Sequence, residues 1–79
     1  MKKYFIIKPN TEWLTWNGRS LLDDTPNRWI WEYETVGTVL GVGPPGYINM
    51  ITQSGAVGAF NNDGLVEISE SEYRRMADE

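Results

Sequence analysis

The sequence of 79 residues contains no cysteine and no histidine. Without cysteine there is no disulfide framework, and without either residue there is no Cys/His zinc site. Histidine-based nucleophilic catalysis is excluded as well. Apolar runs are short, and none approaches the ~18 residues of a membrane-spanning helix. Basic residues are few: seven Lys and Arg stand against eleven Asp and Glu, for a net charge of −4. The imbalance is local. Residues 1–62 carry five basic and five acidic side chains, whereas residues 63–79 carry two basic and six acidic. No charged side chain occurs from Val36 to Asn62. A neutral body is not the footprint of a duplex-DNA binder, which needs a basic face. Met1-Lys2-Lys3 leads into only four apolar residues, Tyr4 to Ile7, which reads as a strand rather than a secretory signal. With no cysteine, this fits a cytoplasmic protein.

What is present is aromatic. Four Trp, four Tyr and two Phe make up 13% of the chain, too rich for a disordered segment. The length predicts a single domain over 1–79, since it leaves no room for two cores. Each aromatic ring can bury roughly 150–250 Å², so these side chains must supply much of a small core.

Strands are predicted near 2–8, 28–35, 36–42, 47–53, 56–60 and 65–68. Glu12 to Trp16 fits either a strand or a single turn, and Asn17-Gly18 a tight turn. Ser20 to Asn27 reads as mostly polar loop. Alternation is clearest from Arg28 to Thr35, with Trp29, Trp31, Tyr33 and Thr35 on one side and Arg28, Ile30, Glu32 and Glu34 on the other. The glycines of Val36 to Val42 predict a bulge or sharp bend. Ser54-Gly55 is a two-residue hairpin signal, and Asn61 to Gly64 a turn. Ser69-Glu70-Ser71-Glu72 matches a capping box and predicts a helix near 70–77, with Tyr73 and Met76 facing inward. Short strands joined by Gly and Asn turns give a mostly β fold, a small antiparallel barrel with a short C-terminal helix.

From Val36 to Ser69 the order is strand, Gly-Pro loop, strand, Ser-Gly turn, small-aromatic strand, Asp-Gly turn and the short strand Leu65-Val66-Glu67-Ile68. Gly37-Thr38-Val39-Leu40-Gly41-Val42, Ser54-Gly55, Phe60 and Leu65 to Ile68 carry this pattern over about 40% of the chain. It resembles the SH3-like small barrels, a group that includes KOW- and Tudor-type modules. The Ala-Leu-Tyr-Asp-Tyr and Pro-Ser-Asn-Tyr segments of signalling SH3 domains are absent, so no peptide-reading residues are carried over. The resemblance implies a fold type and no ligand.

Gly41-Val42-Gly43-Pro44-Pro45-Gly46 fits G-x-G-x-x-G by letter, but a dinucleotide site needs a helix at the loop, and Tyr47 to Gln53 has strand composition. Asn61-Asn62-Asp63-Gly64 lacks the alternating ligands and closing glutamate of a calcium loop. Glu32 and Glu34, on one strand face, would lie roughly 6.5–7 Å apart, a spacing open to an inverting glycosidase. A chain this small seldom builds the necessary cleft. Ser and Thr have no histidine to activate them and no lysine placed beside them. A non-enzymatic protein with no cofactor and no bound metal is expected.

The concentrated signal is the aromatic cluster. Trp13, Trp16, Trp29, Trp31 and Tyr33 fall within 21 residues, and core and contact surface both draw on them. One or two of the four Trp are expected to stay partly exposed. Trp13, Trp16, Trp29, Trp31, Tyr33 and Tyr47 are the candidate binding residues, serving a protein partner in the manner of compact virus-encoded (phage-type) inhibitors and adaptors. Single-stranded nucleic acid, with bases stacked on the aromatics, is the alternative. Carbohydrate on a Trp face is a second. Unpaired barrel edges could also join two chains.

Overall fold

The structure, a computed structural model, describes residues 2–16 and 25–78. The strands are β1 (Tyr4–Ile7), β2 (Thr11–Thr15), β3 (Asn27–Trp31), β4 (Thr35–Val42), β5 (Tyr47–Thr52), β6 (Val57–Asn61) and β7 (Leu65–Ile68). They form one antiparallel sheet in the order β3-β2-β6-β5-β4-β1-β7. A 3-10 turn (Asn62–Gly64) leads into β7, and helix α1 (Glu70–Ala77) follows it.

Alternation along the strands turns one face inward. Ile7, Trp31, Met50 and Phe60 form the buried centre, with Phe5, Trp13, Val39, Ile48, Ala56 and Leu65 packed on it. Trp13 stacks on Phe60 with ring centres 5.1 Å apart, and meets Trp31 edge-on at 5.2 Å. A single sheet has no second layer, so it can bury one face only by curling. The corner Lys8–Asn10 links β1 to β2 and is tied to the ends of β7 and β3. Lys8 N donates to Gly64 O at 2.9 Å, beside β7, and Asn10 N donates to Trp31 O at 2.6 Å, at the end of β3. Asn10 takes φ 66° at this corner, a left-handed conformation that asparagine tolerates. Among the described residues no ladder joins β3 to β7. Gly58 is required where β6 crosses β2, because a Cβ there would come within 2.6 Å of Leu14 O and 2.7 Å of the Trp13 ring.

Helix α1 matches its expected limits. The Ser69 hydroxyl accepts from Glu72 N at 3.2 Å, which satisfies one free donor of the first turn. The helix lies against β1 and β4: Tyr73 packs on Tyr4 with ring centres 4.8 Å apart, and Gln53 Nε2 donates to Ala77 O. Met76, like Tyr73, is half-buried.

Several expectations need correction. The strand predicted over 28–35 is β3, Asn27–Trp31, and Thr35 opens β4 instead. The β2 ladder begins at Thr11, opposite Trp31, so residues past Trp31 lose their neighbour, and the chain bends at Tyr33. Tyr33 therefore does not continue the Trp29–Trp31 row, and Glu32 and Glu34 do not share a strand face. The Glu12 to Trp16 segment resolves as strand up to Thr15, in β2 (Thr11–Thr15), because Trp13 and Leu14 pair with both β3 and β6. The β5–β6 connection is four residues, 53–56, rather than two. Gly55 takes φ 95°, and the Thr52 hydroxyl accepts from Ala56 N at 3.1 Å. Asn61 to Gly64 is a 3-10 turn capped by Asn61, whose side chain accepts from Asp63 N. The bulge expected among the β4 glycines lies at Leu40, between Val39 and Gly41. Residues Tyr47 to Thr52, after the Gly43–Gly46 loop, are strand. The Asn17-Gly18 turn and most of the predicted 20–27 loop lie outside the described residues.

Candidate functional site

The outer face of the sheet offers two separate features, and the bulge positions the first. In β4 the extra residue Leu40 interrupts pairing with β5, where Val39 faces Met50 and Gly41 faces Asn49. A bulged residue is re-aimed relative to a regular pleat. Leu40 is 58% exposed, beside Val57 at 54% and Trp16 at 40%. These three side chains rim a depression of about 370 Å³, whose remaining lining is Thr15, Gly41, Asn49 and Gly58. Asn49 is held in place, since its Nδ2 donates to Val42 O at 3.2 Å. The result is an apolar cleft with one ordered amide.

The second feature is polar. Glu12 on β2 accepts from Arg28 Nη1 on β3 at 3.0 Å and from the Tyr47 hydroxyl on β5. Both donors favour the ionised carboxylate. The Tyr47 hydrogen bond is the larger cause, and with Arg28 it holds the Glu12 carboxyl below its ordinary pKa. The same bond raises the Tyr47 phenol above its own. Glu12 also borders a hollow of about 380 Å³ with Lys8, Asn10, Asn61 and Asp63. That hollow has no wall of large apolar side chains.

The structure divides the sequence-derived candidates. Trp31 is buried and Trp13 packs against the core, so both support the fold rather than a contact surface. Trp16 and Trp29 are exposed, as expected of one or two of the four Trp. Trp29 Nε1 donates to Thr15 Oγ1 at 2.8 Å, which places it one residue from Trp16. Tyr33 is exposed and leans on Trp31, with ring centres 4.9 Å apart. Tyr47 is half-buried and committed to Glu12. Only Trp16 of the six lines the apolar cleft. Leu40 and Val57 complete it, and aromatic content alone did not point to them. The bulge signal at Gly41 could have singled out Leu40.

Among the described residues no group of three or more acidic side chains is placed to hold a metal ion. No helix is long and apolar enough to cross a membrane. Compared with known proteins, the chain matches no family model, no curated protein and no solved structure.

Proposed function

We propose that this chain is a non-enzymatic protein-binding module on an SH3-like barrel, and that the cleft of Trp16, Leu40 and Val57 receives an apolar segment of a partner protein. The fold reading is supported by β1 lying between β4 and β7, and by the 3-10 turn that feeds β7. The observation that carries the function is the cleft rim. Three large apolar side chains stand 40–58% exposed around one depression. Such clustering is characteristic of interaction sites, whereas singly scattered apolar residues are ordinary. An inhibitor or adaptor role suits a small module whose described surface presents an exposed apolar cleft.

Capture of partners from lysate, read by mass spectrometry at low and high salt, tests this reading. The native chain retains a protein at both salts, because apolar contact is not screened. Trp16→Ala and Leu40→Ser each reduce capture at least tenfold, as expected for truncation at a hot spot worth about 2 kcal/mol. Equal capture by the native chain and both variants refutes the proposal. Salt-sensitive recovery of nucleic acid instead would favour base stacking on Trp29 and Tyr33. Against that alternative, the five basic side chains of residues 1–62 are matched by five acidic ones.

A further inference from the structure

Among the described residues β3 pairs with β2 alone and ends the sheet order. Natural edge strands are protected by lysine, proline, bulges or shortness. β3 has Arg28 and is five residues long, but it continues Trp29-Ile30-Trp31. Its apolar side chains lie on both faces. Ile30 is 57% exposed on the outer side with Arg28, and Trp29 is 51% exposed on the side of Trp31. A strand added at this open edge would bring side chains alongside both Ile30 and Trp29, because directly opposed residues on neighbouring strands pack on one another.

We propose that β3 pairs antiparallel with β3 of a second copy of this chain, with Ile30 facing the partner's Ile30 across a two-fold axis. In this register Arg28 faces the partner's Glu32, and symmetry repeats the pair. Both ion pairs share a face with the central isoleucines, where cross-strand neighbours interact. Trp29 faces the partner's Trp31 on the other side. Arg28 is available for this contact: its side chain is 68% exposed despite the bond to Glu12, and a guanidinium has five donors. Glu32 is exposed and immediately follows β3, so the pairing lengthens the strand by one residue. Other registers fit worse. Centring on Trp29 sets Ile30 against Arg28, and centring on Trp31 sets Ile30 against Glu32. Unstaggered parallel pairing sets Arg28 beside its own copy. The Ile30 register alone matches apolar to apolar and positive to negative.

The contact is small, below the roughly 1,200 Å² of a stable interface, so dissociation constants between about 1 µM and 1 mM are expected. Sedimentation equilibrium of the full chain over that range tests it. The native chain shifts from monomer to dimer mass. Ile30→Lys and Ile30→Glu each weaken the dimer at least tenfold, because like charges meet at the axis. An equimolar mixture of the two variants regains dimer mass through opposite charges at the same point. Circular dichroism confirms that both variants fold. Trp16→Ala leaves the dimer intact, which separates this surface from the cleft. Monomer mass up to about 1 mM, a dimer indifferent to both substitutions, or a mixture that stays monomeric overturns the proposal.

Discussion

Tyr47 and Glu12 show how a residue in an uncharged stretch can control an ionisable one. Tyr47 sits in the Val36–Asn62 span, yet its hydroxyl is the main reason the Glu12 carboxyl titrates low. A carboxyl with a depressed folded pKa stabilises the fold fully above the ordinary carboxylate value, about 4.3. That contribution is lost as pH falls through the lower folded value. Tyr47→Phe removes the larger cause, so the Glu12 pKa should rise toward the ordinary range. Arg28→Gln removes a positive charge and its hydrogen bond, and should raise it as well. Side-chain carboxyl titration by NMR measures both shifts, and equal values in all three proteins would contradict the assignment. The Tyr47–Glu12 contact was not legible in the sequence. It depends on β2 and β5 both flanking β6, a pairing that spacing along the chain does not encode.

Elements with local causes were legible. Ser69 and the acidic first turn predict α1 to the residue, and β7 matches its predicted span because Gly64 and Ser69 bound it. Ser69→Ala removes the hydroxyl acceptor for Glu72 N, and should cost about 1 kcal/mol. Amide hydrogen exchange would register this as faster exchange in α1 than in β5, and uniform exchange would show that the cap does not control the helix. Elements with tertiary causes were less legible. The alternation after Trp31 is as regular in sequence as before it, but β3 stops there because β2 supplies no partner beyond Thr11. The Glu12–Trp16 segment was ambiguous for the same reason, since the ladders to β3 and β6 are long-range. The site was legible in part: Trp16 carried a signal, whereas Leu40 and Val57 line one cleft only because the sheet sets β4 and β6 on either side of β5 and the bulge re-aims Leu40.

The whole molecule rests on a few large side chains. Trp31 belongs to the buried centre and contacts the rings of Trp13, Tyr33 and Phe60, whereas Trp29 reaches solvent. Trp31→Ala should cost about 3–5 kcal/mol, which is comparable to the net stability of a domain this size. Trp29→Ala should cost less than about 1 kcal/mol, as for most exposed sites. Urea melts of the two variants should thus show one largely unfolded chain and one near-native transition; similar midpoints would contradict the division into core and surface. The pairing of β1 with β7, Tyr4 opposite Ile68, also orders the folding process in time. β4, β5 and β6 are joined by short loops and can zip together early, and β1 can then add to β4, but the β1–β7 ladder joins the two ends of the described chain and closes a long loop. In that interval Met50 and Phe60 lie on an open sheet with no charged side chain from Val36 to Asn62 to repel a neighbour. The late closure of β1 against β7 therefore also ends the period in which a nascent chain is most prone to aggregate.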